Sequence, residues 1–228
     1  MPFCLSTAIA NDRIDRNMNT SHDSTAGSRR IEPSIKSRPV YGTLELADTA
    51  RHLFVADGDG GSALMRLLSG ASSELLGNTE IIYVTGSLGH DHSDDLQALG
   101  CPRLYVGPTL TAALPRLKRS LENVRMGTQI YLAGSEGGMG QAMQACMNAG
   151  IDFQFLQTEH CGSLARRVQC VHCKGITEDV TTQPATCSHC GLLLLVRDHY
   201  SRRIAAFQGV NINAEDPSNI PEKVELFS

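Results

Sequence analysis

Four cysteines stand in two tight pairs, Cys170-Val-His-Cys173 and Cys187-Ser-His-Cys190, with a Thr-rich connection of 13 residues between them. A tetrahedral ion needs four ligands converging at about 2.3 Å, and two C-x-x-C turns supply them as paired knuckles. The expected occupant is zinc. Four thiolates serve iron as well, and two disulfides or free thiols are the remaining reading. His172 and His189 lie inside the knuckles as spare ligands, but the cysteines of positions 170, 173, 187 and 190 suffice. A closed four-thiolate site has no open position for water. Its contribution is folding energy to a segment too small to hold itself together, not hydrolysis. Lys174-Gly175 and Gly191 follow the knuckles, where the backbone must turn tightly.

Two glycine-rich turns are the next candidates. His52-Leu-Phe-Val-Ala-Asp-Gly58-Asp-Gly60-Gly61-Ser62 passes from a strand through glycines into a helix, and Ile130-Tyr-Leu-Ala-Gly134-Ser135-Glu136-Gly-Gly-Met139 repeats the arrangement. Such turns offer backbone N–H groups and a helix N-terminus to an anion such as a pyrophosphate. The G-x-G-x-x-G spacing of the dinucleotide fingerprint is not met. Both turns follow strands, so both belong to the carboxyl edge of the sheet, where α/β proteins place ligands. Tight loops without a ligand are the alternative.

Other groups are plainer. Met139, Met143 and Met147 recur at helical spacing and read as a core stripe. His90-Asp-His-Ser-Asp-Asp95 reads as a polar loop whose Ser93 caps the next helix, with a divalent-ion site as the alternative. Glu159-His160-Cys161 sets a thiol beside a base, but no third orienting residue is apparent. His199 falls in a charged turn, Arg197 to Arg203, which reads as a docking surface or a solvated hairpin.

The elements that must position these residues form a strand–helix alternation. His52–Ala56, Glu80–Val84, Arg103–Val106, Gln129–Ala133 and Phe153–Leu156 are predicted strands. Helical spacing covers 61–69, 93–99, 110–122 and 137–149. Several of the strands are continuously apolar, as when helices cover both faces of a parallel sheet. A doubly wound α/β domain follows, spanning residues 38–165. Residues 166–210 carry the cysteine pairs and two antiparallel strands, Leu192–Val196 and Ile204–Phe207, and form a zinc-ribbon β module. The polar first 37 residues read as a disordered tail. Residues 211–228 read as a C-terminal tail lying on a surface or hanging free.

Composition narrows the function classes. The 228 residues are 41% hydrophobic and 19% charged, with net charge −4, which argues against a partner held by phosphate contacts. The absence of Trp argues the same way against base stacking. No apolar run approaches the roughly 20 residues of a membrane span. The first ten residues lack a basic n-region, so a cytoplasmic location is expected. Eight cysteines, four of them scattered, fit a reducing compartment with one metal site.

The segment from His52 to Glu159 resembles the nicotinamide-binding lobe of ferredoxin-reductase-type flavoprotein reductases. Ala56 to Met65 stand at that lobe's first Gly-rich turn. Tyr131, Gly134 and Met139 stand at its Tyr-x-Cys-Gly-Pro turn, and Glu159 at the glutamate after the last strand. Departures are Ser62-Ala63 for Thr-Pro, Ala133 and Ser135 for Cys and Pro, and Gly86-Ser87 for the Arg-Ser that meets a 2′-phosphate. The lobe followed by a four-cysteine ribbon, Val196 to Arg203 and Phe207-Gln-Gly-Val210, resembles the A-subunit family of bacterial dimethylamine monooxygenases. That resemblance implies an NADPH- and O₂-dependent complex that demethylates dimethylamine to methylamine and formaldehyde. It places haem, flavin and iron–sulfur groups on partner subunits. With the two turns it implies that this chain presents NAD(P)H to a flavin-bearing partner, or supports electron transfer, with Gly58, Gly60, Gly61, Ser62, Gly134, Ser135, Glu136 and Met139 as the cofactor-binding residues; NADH and NADPH both remain open. A purely structural zinc-stapled subunit and a nucleic-acid-binding zinc ribbon are the competing readings.

Overall fold

A computed structural model describes residues 38–86, 89–218 and 220–227, all within one compact unit that begins at Pro33. The predicted N-terminal tail and Ser87 lie outside the described residues. Strands β1 (Arg51–Asp57), β2 (Thr79–Val84), β3 (Leu104–Gly107), β4 (Thr128–Gly134) and β5 (Leu156–His160) form a fully parallel sheet in the order β3-β2-β1-β4-β5. The order reverses between β1 and β4, so their carboxyl ends flank the topological switch point. This is the doubly wound α/β lobe expected from the strand–helix alternation.

Continuous apolar runs form here because both faces are covered. Phe54, Ala56, Ile81, Tyr83, Tyr131 and Ala133 cluster with Leu64 and Leu68 of α1 (Gly60–Leu68) and Leu96 of α3 (Ser93–Ala98). The alternate residues Leu53, Val55, Ile82, Val84, Ile130 and Leu132 cluster with α4 (Leu110–Glu122) and α5 (Glu136–Asn148). Each large apolar side chain buried this way contributes about 1.5–3 kcal/mol. Met139 is buried in the second cluster and Met143 packs against it, while Met147 is exposed, so the methionine stripe is core for two of its three turns.

Three local readings are corrected. The predicted strand Phe153–Leu156 begins at Leu156. The Asp152 carboxylate accepts the Gln154 N–H at 3.0 Å and winds Phe153–Phe155 into a 3₁₀ turn instead. Ser93 does not cap α3. It is the first helical residue, and its own N–H and hydroxyl both donate to Asp91. A short helix that the periodicity missed, α2 (Ser73–Gly77), is capped by Ser72.

Beyond β5 the chain builds an antiparallel-rich sheet in the order β7-β6-β11-β10-β9. Its members are β6 (Arg166–Cys170), β7 (Ile176–Val180), β9 (Ala185–Thr186), β10 (Leu193–Ser201) and β11 (Ala206–Asn211). The short β8 (Thr182–Gln183) pairs separately with β12 (Val224–Glu225). Thus the segment read as a C-terminal tail returns to the ribbon. The Leu226 and Phe227 N–H groups both donate to the Thr181 carbonyl, and the Phe227 ring is buried.

The ribbon packs closely on the lobe. A side-chain carbon at Gly140 of α5 would overlap the Tyr200 hydroxyl, so only glycine admits this contact. Arg166 lies between the Phe207 and Phe227 rings, its guanidinium carbon 4.1 Å from each centroid, and pairs with Asp198 at 2.9 Å. Asp198 points inward because β10 carries a bulge between Arg197 and Tyr200, a device that re-aims a side chain. Its second carboxylate oxygen reaches Arg38 at 2.8 Å. Burial would raise the Asp198 pKa, but the bonds from Arg38 and Arg166 outweigh it and hold it below the usual carboxylate range.

Arg166→Ala removes one member of a buried pair and is expected to cost about 3–5 kcal/mol of stability in urea unfolding at neutral pH. A loss under about 1 kcal/mol would mean that the stack carries no weight. Because Asp198 is acidified by folding, its contribution is present above about pH 4 and is lost as pH falls through its lowered pKa. The gap between wild type and Arg166→Ala should therefore narrow in acid.

Candidate functional site

The knuckles fold alike because the same bonds close each of them. Cys170 N–H donates to Gly175 and Lys174 N–H to Cys170, while Cys187 N–H donates to Leu192 and Gly191 N–H to Cys187, all at 2.9–3.0 Å. The left-handed position is held by Lys174 (φ 62°) in the first knuckle and Gly191 (φ 75°) in the second. Gly175 serves a different need from the expected turn. A side-chain carbon there would overlap the His189 ring, whose Nε2 lies 2.9 Å from the Ile176 carbonyl.

These knuckles bring the sulfurs of Cys170, Cys173, Cys187 and Cys190 within 4.8 Å of one another. Cys170 and Cys190 are 3.8 Å apart and Cys173 and Cys187 are 3.6 Å apart. A disulfide needs about 2.05 Å. A tetrahedral ion with bonds of about 2.3 Å sets its sulfurs roughly 3.8 Å apart. The donor set therefore fits a four-thiolate metal and excludes two disulfides. It is the one such group among the described residues, and it includes neither His172, His189 nor the His90–Asp95 loop.

At the carboxyl edge, the two glycine-rich turns come together as expected, packed against each other and against the chain's own acids. Gly58 is left-handed (φ 44°), and Gly60 lets α1 lie directly on the Ala133–Gly134 backbone. Gly61 leaves room for the His92 ring. Gly61 and Ser62 turn their N–H groups back on the Gly58 and Asp59 carbonyls, and the Ser62 hydroxyl donates to Asp59 as well.

Gly134 (φ 126°) and Gly138 both lie against the Asp57 carboxyl group, which a side-chain carbon at either position would overlap. Asp57 accepts the Ser135 N–H at 2.7 Å through one oxygen and the Ser135 hydroxyl at 2.5 Å through the other. Ser135 in turn caps α5 by accepting the Gly138 N–H at 3.0 Å. Burial pushes the Asp57 pKa up, while the two Ser135 donors pull against it. Asp59 receives the His90 N–H at 2.9 Å and lies 2.8 Å from its ring nitrogen, contacts that hold its pKa below the usual carboxylate range. Gly89 and Gly162 make room for the Asp59 carboxylate.

Of the remaining candidates, Glu136 accepts the Tyr41 hydroxyl at 3.0 Å, and its pKa is raised mainly by burial. Met139 faces the core. Glu159 makes a two-bond pair with Arg66, at 2.9 and 2.6 Å, and accepts the Leu44 N–H. Burial pushes the Cys161 thiol up, the reverse of what an activated nucleophile requires.

A cleft of about 380 Å³ opens beside the α5 turn, between the carboxyl edge and the ribbon. Asp57, Glu178 and Asp179 line it against Arg166 and Arg167. Arg166 is bound to Asp198 and Arg167 to Glu178 at 2.8 Å, so neither arginine is left to meet a phosphate. The residues at the turns therefore do not fit a dinucleotide.

Sequence reasoning missed Asp57, Asp59, Arg166, Asp198 and Tyr41. Two carboxylates within one glycine-rich turn were a legible sign, because acids oppose a phosphate cradle. The other three meet partners far along the chain: Tyr41 bonds Glu136, Arg166 pairs with Asp198, and Asp198 pairs with Arg38.

Comparison with known proteins agrees with both halves of the chain. Residues 33–155 match the N-terminal domain, and residues 167–210 the C-terminal domain, of the dimethylamine monooxygenase subunit DmmA-like family. The heme-dependent oxidative N-demethylase delta subunit of Ectopseudomonas mendocina (strain ymp) is 31% identical over 147 residues, covering 61% of this chain and 83% of that one. Among solved structures, flavohemoglobin from Malassezia yamatoensis superimposes with a TM-score of 0.39 at 13% identity, over 53% of this chain and 34% of that one. Full-length CYP116B46 from Tepidiphilus thermophilus gives 0.39 at 22% identity, over 57% and 18%. The chain spans about a third and a fifth of those two proteins. With a matching model over each of its two parts and a relative covered for most of its length, the chain belongs to the dimethylamine monooxygenase subunit DmmA-like family.

Proposed function

We propose that this chain is a zinc-stapled assembly subunit of a multicomponent oxidative N-demethylase that acts on dimethylamine. In this reading the complex uses NADPH and O₂ to release methylamine and formaldehyde, with haem, flavin and iron–sulfur groups on partner subunits. The family match over both parts of the chain supports membership of such a complex. The observation that carries the assembly role is the state of the two glycine-rich turns. Presenting NADPH to a flavin-bearing partner requires an open anion position at the head of α1 or α5, and the chain's own carboxylates stand at both turns.

The ribbon supports the same role. Cys170, Cys173, Cys187 and Cys190 would hold one zinc ion, which supplies folding energy and has no open position for a substrate. The zinc holds the two knuckles, and through β6 and β10 it steadies Arg166 and Asp198 at the contact with the lobe.

The purified chain should contain about one zinc per molecule by elemental analysis, with little iron. Cys187→Ser should lose the metal and expose the ribbon to protease while the lobe stays resistant. Full zinc content in that variant would remove the four-thiolate assignment. In the reconstituted complex, dimethylamine-dependent NADPH oxidation should fall together with co-purification of the subunits when Cys187→Ser replaces wild type. An intact complex with lost activity would instead point to a role in electron entry.

A further inference from the structure

We infer that Asp57 is a built-in anion that fills the anion position at the head of α5. The inference rests on the nucleotide-free reading of the lobe. A helix N-terminus favours negative charge, and a nucleotide-binding lobe leaves that position to a phosphate. Here the position is filled from within. The Asp57 oxygens accept the Ser135 N–H and hydroxyl, and the Ser135 hydroxyl oxygen accepts the Gly138 N–H, so one carboxyl group organises the first turn of α5.

The glycines support the same assignment. Gly134 and Gly138 are the positions at which a side chain would overlap the Asp57 carboxyl group. The turn thus keeps the small residues of a phosphate cradle, yet the space they leave belongs to Asp57. Asp59 at the neighbouring turn is held differently: Gly89 and Gly162 leave room for its carboxylate, which binds His90 and makes no capping bond to α1. Both turns at this edge carry an acid, and the one bonded to the head of a helix is Asp57.

The consequence is a latent anion site. Removing the Asp57 side chain leaves the α5 head, the Ser135 donors and the glycine-lined space, so a small external anion should enter. The test uses the full chain. Asp57→Ala should have a lower thermal midpoint than wild type, and sodium formate should restore it by several degrees in a concentration-dependent way beyond the effect of matched sodium chloride. Wild type and Asp57→Asn, whose space is filled, should show no such formate response. If Asp57→Ala does not fold unaided, its refolding yield with and without formate gives the same readout.

Calorimetry with NADPH, on the wild-type chain alone and in the complex, separates the two claims. Saturable binding to this chain with a Kd below about 1 mM would overturn the nucleotide-free reading and this inference with it. Silence toward NADPH, with a folded Asp57→Ala that ignores formate, would overturn the built-in anion alone.

Discussion

The arrangement of this molecule depends on one buried cation. Arg166 opens β6 at the point where the chain leaves the lobe for the ribbon, and almost none of its side chain is exposed. Desolvation pulls its pKa down, and the Asp198 carboxylate holds it up. A charge in that position is tolerable only if every neighbour is arranged for it. The neighbours are drawn from distant parts of the chain. Phe207 comes from β11, Phe227 from the C-terminal segment, and Asp198 from the bulge in β10, with Arg38 bound to its other oxygen. Stacking of a guanidinium on aromatic faces adds attraction while leaving its edge free for the carboxylate.

The same constraint explains why lobe and ribbon form one unit rather than two beads. Their contact is made of specific pieces: Gly140 against Tyr200, Gln144 donating to the Arg203 carbonyl, and Arg38 paired with Asp198. None of these is a large apolar patch. The ribbon cannot supply such an interface alone, because its own core is small, centred on Val168, Leu194, Val196 and Phe207. The four cysteines and the Arg166 stack therefore act on the same strands from opposite directions, one set closing the knuckles and the other tying the sheet to the C-terminal segment and, through Asp198, to Arg38.

The carboxyl edge illustrates how a fold and its usual ligand can part company. The switch point, the glycine-rich turns and the helix heads are all in place. Asp57 and Asp59 invert the electrostatics of that edge, and the paired Arg166 and Arg167 offer no compensating charge. The geometry of a cradle survives with its charge reversed. An assembly subunit needs the shape of the lobe, its surfaces and its stiffness, and none of these requires an anion from outside.

The convergence of the four cysteines was legible in the sequence because C-x-x-C spacing is local: each knuckle closes within six residues, whatever surrounds it. The parallel sheet was legible for a similar reason, since apolar runs such as 52–56 and 129–133 report burial on both faces. Helix ends and strand starts were less so at Asp152 and Ser93, where a side chain two residues away redirected a backbone N–H. What tertiary structure alone decided was the meaning of the glycines. From the sequence, Gly134 and Gly138 are openings. Only when β1 lies beside β4 does Asp57 meet them, 78 residues from its partner Ser135. The lock at Arg166 was equally invisible, because long-range ion pairs and ring stacks leave no periodicity in the chain that forms them.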